Sequence, residues 1–411
     1  MLCLLGAPGL GSLGLGVPWL GVPCLGVPGL GFPGLGVPEV GAAEPPAEDP
    51  SAGAHSADSV PESRTPLASA CGAPTESPVP GARYLFQAFS ELDHGASPQS
   101  WVVRQDGVGR IWIGNTTGFL EFDGVDWRRH QLPRHHPVRA LDVDAGGTVW
   151  LAGGKDAGYL APDEFGRTEF VSVSHRLPAD VEFGEFWTVS CNSAGVWFQS
   201  DRAVFFESWG AADSVMVAHV AAPAGFGKAS MVDDTVYFVD GNANLYAGGD
   251  GGEVRKEPLE RDGPRLLDPD ENFVSYSIVG LAGDLLIASN QGLFRRSADG
   301  VLSSFGSPLL RNTIEQYPVY SLEPVGDGLA LGTLGAGVLF VDGAGDLTTH
   351  LSTDDGFPDD MVLDLYLDHE NALWAALDSG IARIEVAGPF LTWESHNRLR
   401  GGLQDLHVTE D

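Results

Sequence analysis

From about Ala82 onward the chain is built of short apolar and aromatic runs punctuated by glycine and aspartate. The first clear unit begins with Trp101-Val102-Val103, turns at Asp106–Gly109, and resumes as Ile111–Gly114. It turns again at Asn115–Gly118, runs through Phe119–Phe122, turns at Asp123-Gly124 and ends in a short run at Trp127. Asp-Gly and Asn-Gly steps between alternating runs are hairpin signals, so each unit predicts four short antiparallel strands.

The unit recurs. A small residue followed by two apolar ones marks the third strand at Gly118, Gly158, Ala203, Asn244, Gly292, Gly337 and Gly380, spaced 40, 45, 41, 48, 45 and 43 residues apart. The second-strand aromatic recurs as Trp112, Trp150, Trp197, Tyr237 and Trp374, with Leu286 and Leu329 or Ala330 in units five and six. Four strands per unit at a period near 44 predict an all-β fold, a β-propeller of seven four-stranded blades. One such sheet cannot cover both of its faces, so the Trp/Tyr/Leu series is expected to pack blade on blade. The run Tyr84–Phe89 precedes the first unit and is a candidate closing strand for the last blade.

The first eighty residues differ in texture. Residues 1–44 carry a V-P-x-L-G pentapeptide (Val17, Val22, Val27, then Phe32 and Val37) similar to elastin-type repeats. Proline every five residues forbids a long helix, and each Pro-x pair favours a turn. Residues 45–81 are rich in Ala, Ser, Pro and acid and read as linker. The whole segment is expected to be disordered. It is a poor secretory leader, because no Lys or Arg precedes Arg64. Leu67–Cys71 matches a lipoprotein cleavage site only faintly, and a start codon placed too far upstream is another reading. The propeller is assigned to residues 82–395, and 396–411 read as the start of a further repeat.

Charge narrows the function. The chain holds 56 Asp and Glu against 23 Lys and Arg, a formal charge of −33. That balance argues against nucleic acid and anionic lipid as partners. Four cysteines without a C-x-x-C exclude a disulfide scaffold and a zinc knuckle. No apolar run is long enough for a membrane helix.

No P-loop, G-x-S-x-G or H-E-x-x-H is present, and no catalytic residue, metal site or cofactor is assigned. Asp142-x-Asp144-x-Gly146 superficially resembles a calcium loop but lacks its downstream Glu, and reads as an inter-strand turn. The densest cationic stretch, Arg128, Arg129, His130, Arg134, His135, His136 and Arg139, joins units one and two. Arginine gives bidentate contacts to carboxylates, so this stretch is a candidate anion or sugar-acid site, or a loop balancing local acid. Phe186 and Trp187, leading into unit three, are candidates for carbohydrate stacking or strand packing. Tyr317, leading into unit six, is a further ligand-binding candidate. Loops from several blades converge at a propeller mouth, the default binding cleft. Cys191 lies beside a predicted strand and reads as inert core.

The last unit resembles the two-component regulator propeller repeat. It reads Gly356-Phe357-Pro358-Asp359-Asp360-Met361-Val362, then Leu365, Asp368, Leu373-Trp374, Gly380-Ile381 and Arg383. The first unit matches through Asp106, Gly109, Ile111–Gly114 and Gly118, and units three to six match loosely. The resemblance implies a non-enzymatic, extracytoplasmic, ligand-sensing propeller, periplasmic or exported. Its ligand would be a small molecule or oligosaccharide, and its signalling output domain would lie outside this chain, making the chain a piece of a longer sensor. The alternatives are a propeller lyase or hydrolase acting on acidic polysaccharide, with His130, Arg134 and His136 as first candidates, and a protein-interaction scaffold.

Overall fold

The computed structural model describes residues 83–179, 181–209, 216–220, 225–263, 266–268, 271–387 and 391–392. The segments 1–44, 45–81 and 396–411 discussed above lie outside these residues. Seven antiparallel sheets follow one another as the blades of a propeller. Blade one is Ser100–Gln105, Ile111–Asn115, Gly118–Phe122 and Trp127–His130, the strands foreseen from the first unit. The later blades begin at Ala140, Phe186, Ser230, Ser275, Val319 and Val362. Blade five carries a fifth strand, Glu260–Arg261, parallel to Val301–Ser304.

The ring closes on its N-terminal side. Phe86–Phe89 is the outer strand of blade seven, pairing antiparallel with Gly380–Ile384, as expected from the run before unit one. Phe89 stacks on Trp374 at 5.9 Å and meets Trp127 of blade one edge-on at 5.3 Å, so it ties the last blade to the first.

Two local devices explain the repeat. The first is an aspartate turn between the first and second strands. Oδ1 of Asp106, Asp144 and Asp368 accepts the backbone N–H groups two and four residues on, and Oδ2 accepts the indole N–H of Trp112, Trp150 and Trp374. One carboxylate thus shapes the hairpin and satisfies a buried indole. Asp144 is fully engaged in this way, which makes the Asp142-x-Asp144 motif a turn. The second device is the marker glycine. A Cβ at Gly118, Gly158 or Gly337 would lie 2.2, 2.1 or 2.0 Å from a carbonyl oxygen of the fourth strand. At Gly380 the nearest atom is the carbonyl of Phe89, at 3.0 Å, because there the fourth strand comes from the N-terminal side.

The blade-core aromatics are buried as expected: Trp112, Trp150, Trp197 and Trp374 are all closed off from solvent. In blade four the register differs. Val236 pairs with Met231 and holds the position that Trp197 holds opposite Ser190, whereas Tyr237 lies one residue along. A one-residue step puts a strand side chain on the opposite face, so composition alone pointed to the wrong neighbour.

Candidate functional site

The first strands of neighbouring blades touch round the ring and line its axis. Five of the seven start with a β-bulge. The register slips at Trp101, Trp187, Tyr276, Tyr320 and Leu363, one residue of the first strand having no partner on the second. The same position in blades two and four is held by Arg139 and Lys228, three residues before Asp142 and Met231, which pair as Arg104 and Ser190 do. A bulge re-aims the extra side chain. All seven residues line one channel of about 280 Å³.

Together they form a collar. The Arg139 guanidinium lies over Trp101 at 5.3 Å and over Trp187 at 4.7 Å, and one of its nitrogens pairs with Glu185. Lys228 Nζ sits 3.9 Å above the ring of Tyr320, which packs on Tyr276 at 5.2 Å. Trp101 and Trp187 are oriented by indole bonds to Thr116 at 3.0 Å and Asp201 at 2.5 Å. The collar offers flat apolar faces and two cations in a strongly acidic protein.

Three residues further along their strands, Arg104, Asp142 and Glu323 form a charged layer with Asp364, which directly follows Leu363. Arg104 pairs with Asp364 at 2.7 Å, approaches Asp142 at 4.0 Å and lies over Tyr366 at 5.6 Å. Arg104 is 29 % exposed, and it borders the channel. Burial works against its charge, but Asp364 and Asp142 more than offset that and raise its pKa further. Burial also raises the Asp142 carboxyl above the ordinary range, outweighing the pull of Arg104. Glu323 lines the same layer, and burial pushes its carboxyl up to about 7, against the Leu367 N–H and Arg104.

These polar groups also solve an edge problem. The inner edge of each first strand has N–H groups with no sheet partner. Val103 N–H donates to Asp364, Leu365 to Ser321, Leu322 to Ser277, Ile278 to Ser230 and Cys191 to Asp142, each across a blade boundary. The Cys191 thiol is held protonated by burial, with Asp142 and Asp144 adding to the effect.

Glu323 sets a pH dependence. Its folded pKa of about 7 lies above the ordinary 4.5, so the folded state keeps a proton that the unfolded chain releases. Its contribution is complete below pH 4.5 and is lost as pH rises to about 7, up to roughly 3 kcal/mol. Glu323→Gln keeps an acceptor for the Leu367 N–H. Urea unfolding at pH 5 and pH 8 should show the variant gaining stability over wild type at pH 8 only. An equal difference at both pH values would refute this account.

The other sequence candidates are placed as follows. Arg128, Arg129 and His130 lie on the outermost strand of blade one, three strand spacings or about 14 Å from the axial strand. Arg128 and His130 both meet the buried Glu121 at 3.2 Å, Arg129 donates to the Gly95 carbonyl, and none lines the channel. Arg134 and His135 belong to a 3-10 turn, Pro133–His135, and His135 has φ of 56°. His136 lies against Gly154, where an added Cβ would meet its ring at 3.0 Å. Phe186 is core, packed with Phe183, Phe198 and Phe205. Tyr317 ends the helix Pro308–Gln316 and accepts from Gln316. The structure thus brings together Arg139 and Trp187 and adds Trp101, Lys228, Tyr276 and Tyr320. No shared residue type marked these positions in the sequence.

No family model matches the chain, and no curated protein matches it in sequence. Solved structures share the fold. A protein named as the extracellular domain of the hybrid two-component system BT4673 from B. thetaiotaomicron superposes with a TM-score of 0.57 at 16% identity, over 73% of this chain and 39% of that one. The corresponding domain of BT3049 from the same organism gives 0.56 at 16%, over 74% and 42%. Virginiamycin B lyase from Staphylococcus aureus gives 0.55 at 12%, over 74% of this chain and 99% of the lyase. The chain therefore spans well under half of the first two proteins and nearly all of the third. Among the described residues no helix is long and apolar enough to cross a membrane.

Proposed function

We propose that this chain is the ligand-sensing propeller of an extracytoplasmic bacterial receptor of the two-component type, exported or periplasmic, with its output domain elsewhere. The observation that carries this reading is the collar: aromatic faces and two cations from six different blades, set around one axial channel. A small molecule or oligosaccharide held there would touch six blades at once and bias their packing. The two-component extracellular domains of the same fold support the reading, as does the repeat pattern of blades one and seven.

A second reading, a propeller lyase, is favoured by the near-complete coverage of virginiamycin B lyase. Its first candidates do not converge in this chain, since His130 lies on the outer strand of blade one and His136 in the connecting loop.

A thermal-shift screen of small acids, peptides and oligosaccharides tests the proposal. A sensor should be stabilised saturably, by about 2.7 kcal/mol at a hundredfold excess over Kd, and should leave the ligand unchanged. Trp187→Ala should weaken binding at least tenfold. Turnover of the ligand would favour the lyase, and stabilisation by no compound would remove the sensing reading.

A further inference from the structure

The channel has opposite charge character at its two levels. At the collar the cations lack anionic partners in part. Arg139 has one nitrogen on Glu185, but its Nε is buried with no hydrogen-bond partner. Lys228 Nζ meets the Tyr320 ring and has no carboxylate within ion-pair distance among the described residues. At the inner level the imbalance reverses. Three carboxyl groups, Asp142, Glu323 and Asp364, face the single guanidinium of Arg104. Asp364 is satisfied by Arg104 and by the Val103 and Ser321 donors, and Asp142 by the Val143 and Cys191 N–H groups, with Arg104 at 4.0 Å. Glu323 accepts only the Leu367 N–H among the described residues, on one of its two oxygens.

Arg139 to Asp142 and Tyr320 to Glu323 are both three residues apart on extended strands, or about 10 Å at 3.3 Å per residue. Resting on the sensing role proposed above, we infer that the channel takes a short peptide zwitterion of two or three residues, its carboxylate at Arg139 and Lys228 and its ammonium against Glu323 and Asp142. An extended peptide of two or three residues spans about 7–10 Å, which matches the separation of the two levels. The collar aromatics would flank its middle. A neutral sugar would leave the collar cations without an anion, whereas a ligand ammonium beside Glu323 would favour its ionised form. A plain carboxylate would answer only the outer one and a plain amine only the inner. Burying a charge without a partner is costly, so a ligand carrying both signs suits this channel better than either alone.

Titration calorimetry on the full chain tests the assignment. The probes are trialanine, its N-acetylated form, its C-terminal amide, and digalacturonate as an acidic sugar. Trialanine should bind saturably, and each blocked form at least tenfold more weakly. Glu323→Gln should weaken trialanine about tenfold and leave the N-acetylated form unchanged. Arg139→Met should do the same for trialanine and leave the amide unchanged. Blocked forms that bind within threefold of trialanine would overturn the zwitterion assignment. Digalacturonate binding without trialanine binding would also overturn it while leaving the sensing role intact. If none of the four probes bound, while another compound in the thermal-shift screen did, the zwitterion assignment alone would fall. If nothing bound in either experiment, both would fall.

Discussion

Deleting Phe86–Phe89 from the otherwise complete chain is expected to open the ring and abolish cooperative unfolding. Blade seven would be left with three strands, and Gly380–Ile384 would become an unpaired edge. Phe89 is only 7 % exposed and contacts Phe122, Trp127 and Trp374, while Phe86 packs edge-on against Phe357. The milder substitution Phe89→Ala removes a core aromatic at the seam and should cost about 3–5 kcal/mol. Leu92, 91 % exposed two residues into the following helical turn, is the control, and Leu92→Ala should change stability by no more than about 0.5 kcal/mol. Urea unfolding followed by tryptophan fluorescence reads both, because Trp127 and Trp374 flank Phe89. A loss below about 1 kcal/mol for Phe89→Ala would mean that the seam is not held by this strand.

Asp368→Ala should be nearly as damaging, although it removes only a carboxylate in a turn. That carboxylate accepts from Glu370 N–H at 3.0 Å, Ala372 N–H at 2.7 Å and Trp374 Nε1 at 2.8 Å, and Arg383 lies 3.5 Å away. Ala372 and Trp374 are buried, so their donors would be left without partners and out of reach of water. Each buried orphan costs about 1–3 kcal/mol, giving a loss of about 3–5 kcal/mol with the turn geometry included. Asp163 provides the comparison. It forms the same turn with Phe165 and Arg167 N–H groups, both on exposed residues, and no indole depends on it. Asp163→Ala should cost less than half as much in the same thermal or urea measurement. Equal losses would show that the turn alone, and not the Asp–Trp bond, matters.

The blades were legible because their signals are local. An aspartate turn followed six residues later by a tryptophan shapes blades one, two and seven, and a glycine pressed against a fourth-strand carbonyl marks blades one, two and six; both are constraints met within hairpins. Their period therefore survives in the sequence, and the closing strand shows as one unmatched apolar run before the first unit. Tyr237 misled because a strand's two faces differ by a single residue of register, and that register is set by pairing with Ser230–Val232.

The site was legible only in fragments. Arg128–His130 stood out as a cationic run, yet an outer strand carries it to the rim, where Glu121 absorbs it. Arg139 and Trp187 were visible as residue types but not as neighbours. The sequence by itself determined the number of blades, their strand order and the residues that seal them, since these follow from spacing along the chain. Only the tertiary structure decided the collar. Trp101, Arg139, Trp187, Lys228, Tyr276 and Tyr320 share no residue type that a repeat could reveal; they share a position at the start of an axial strand, and closing the ring turns that common backbone position into a common place.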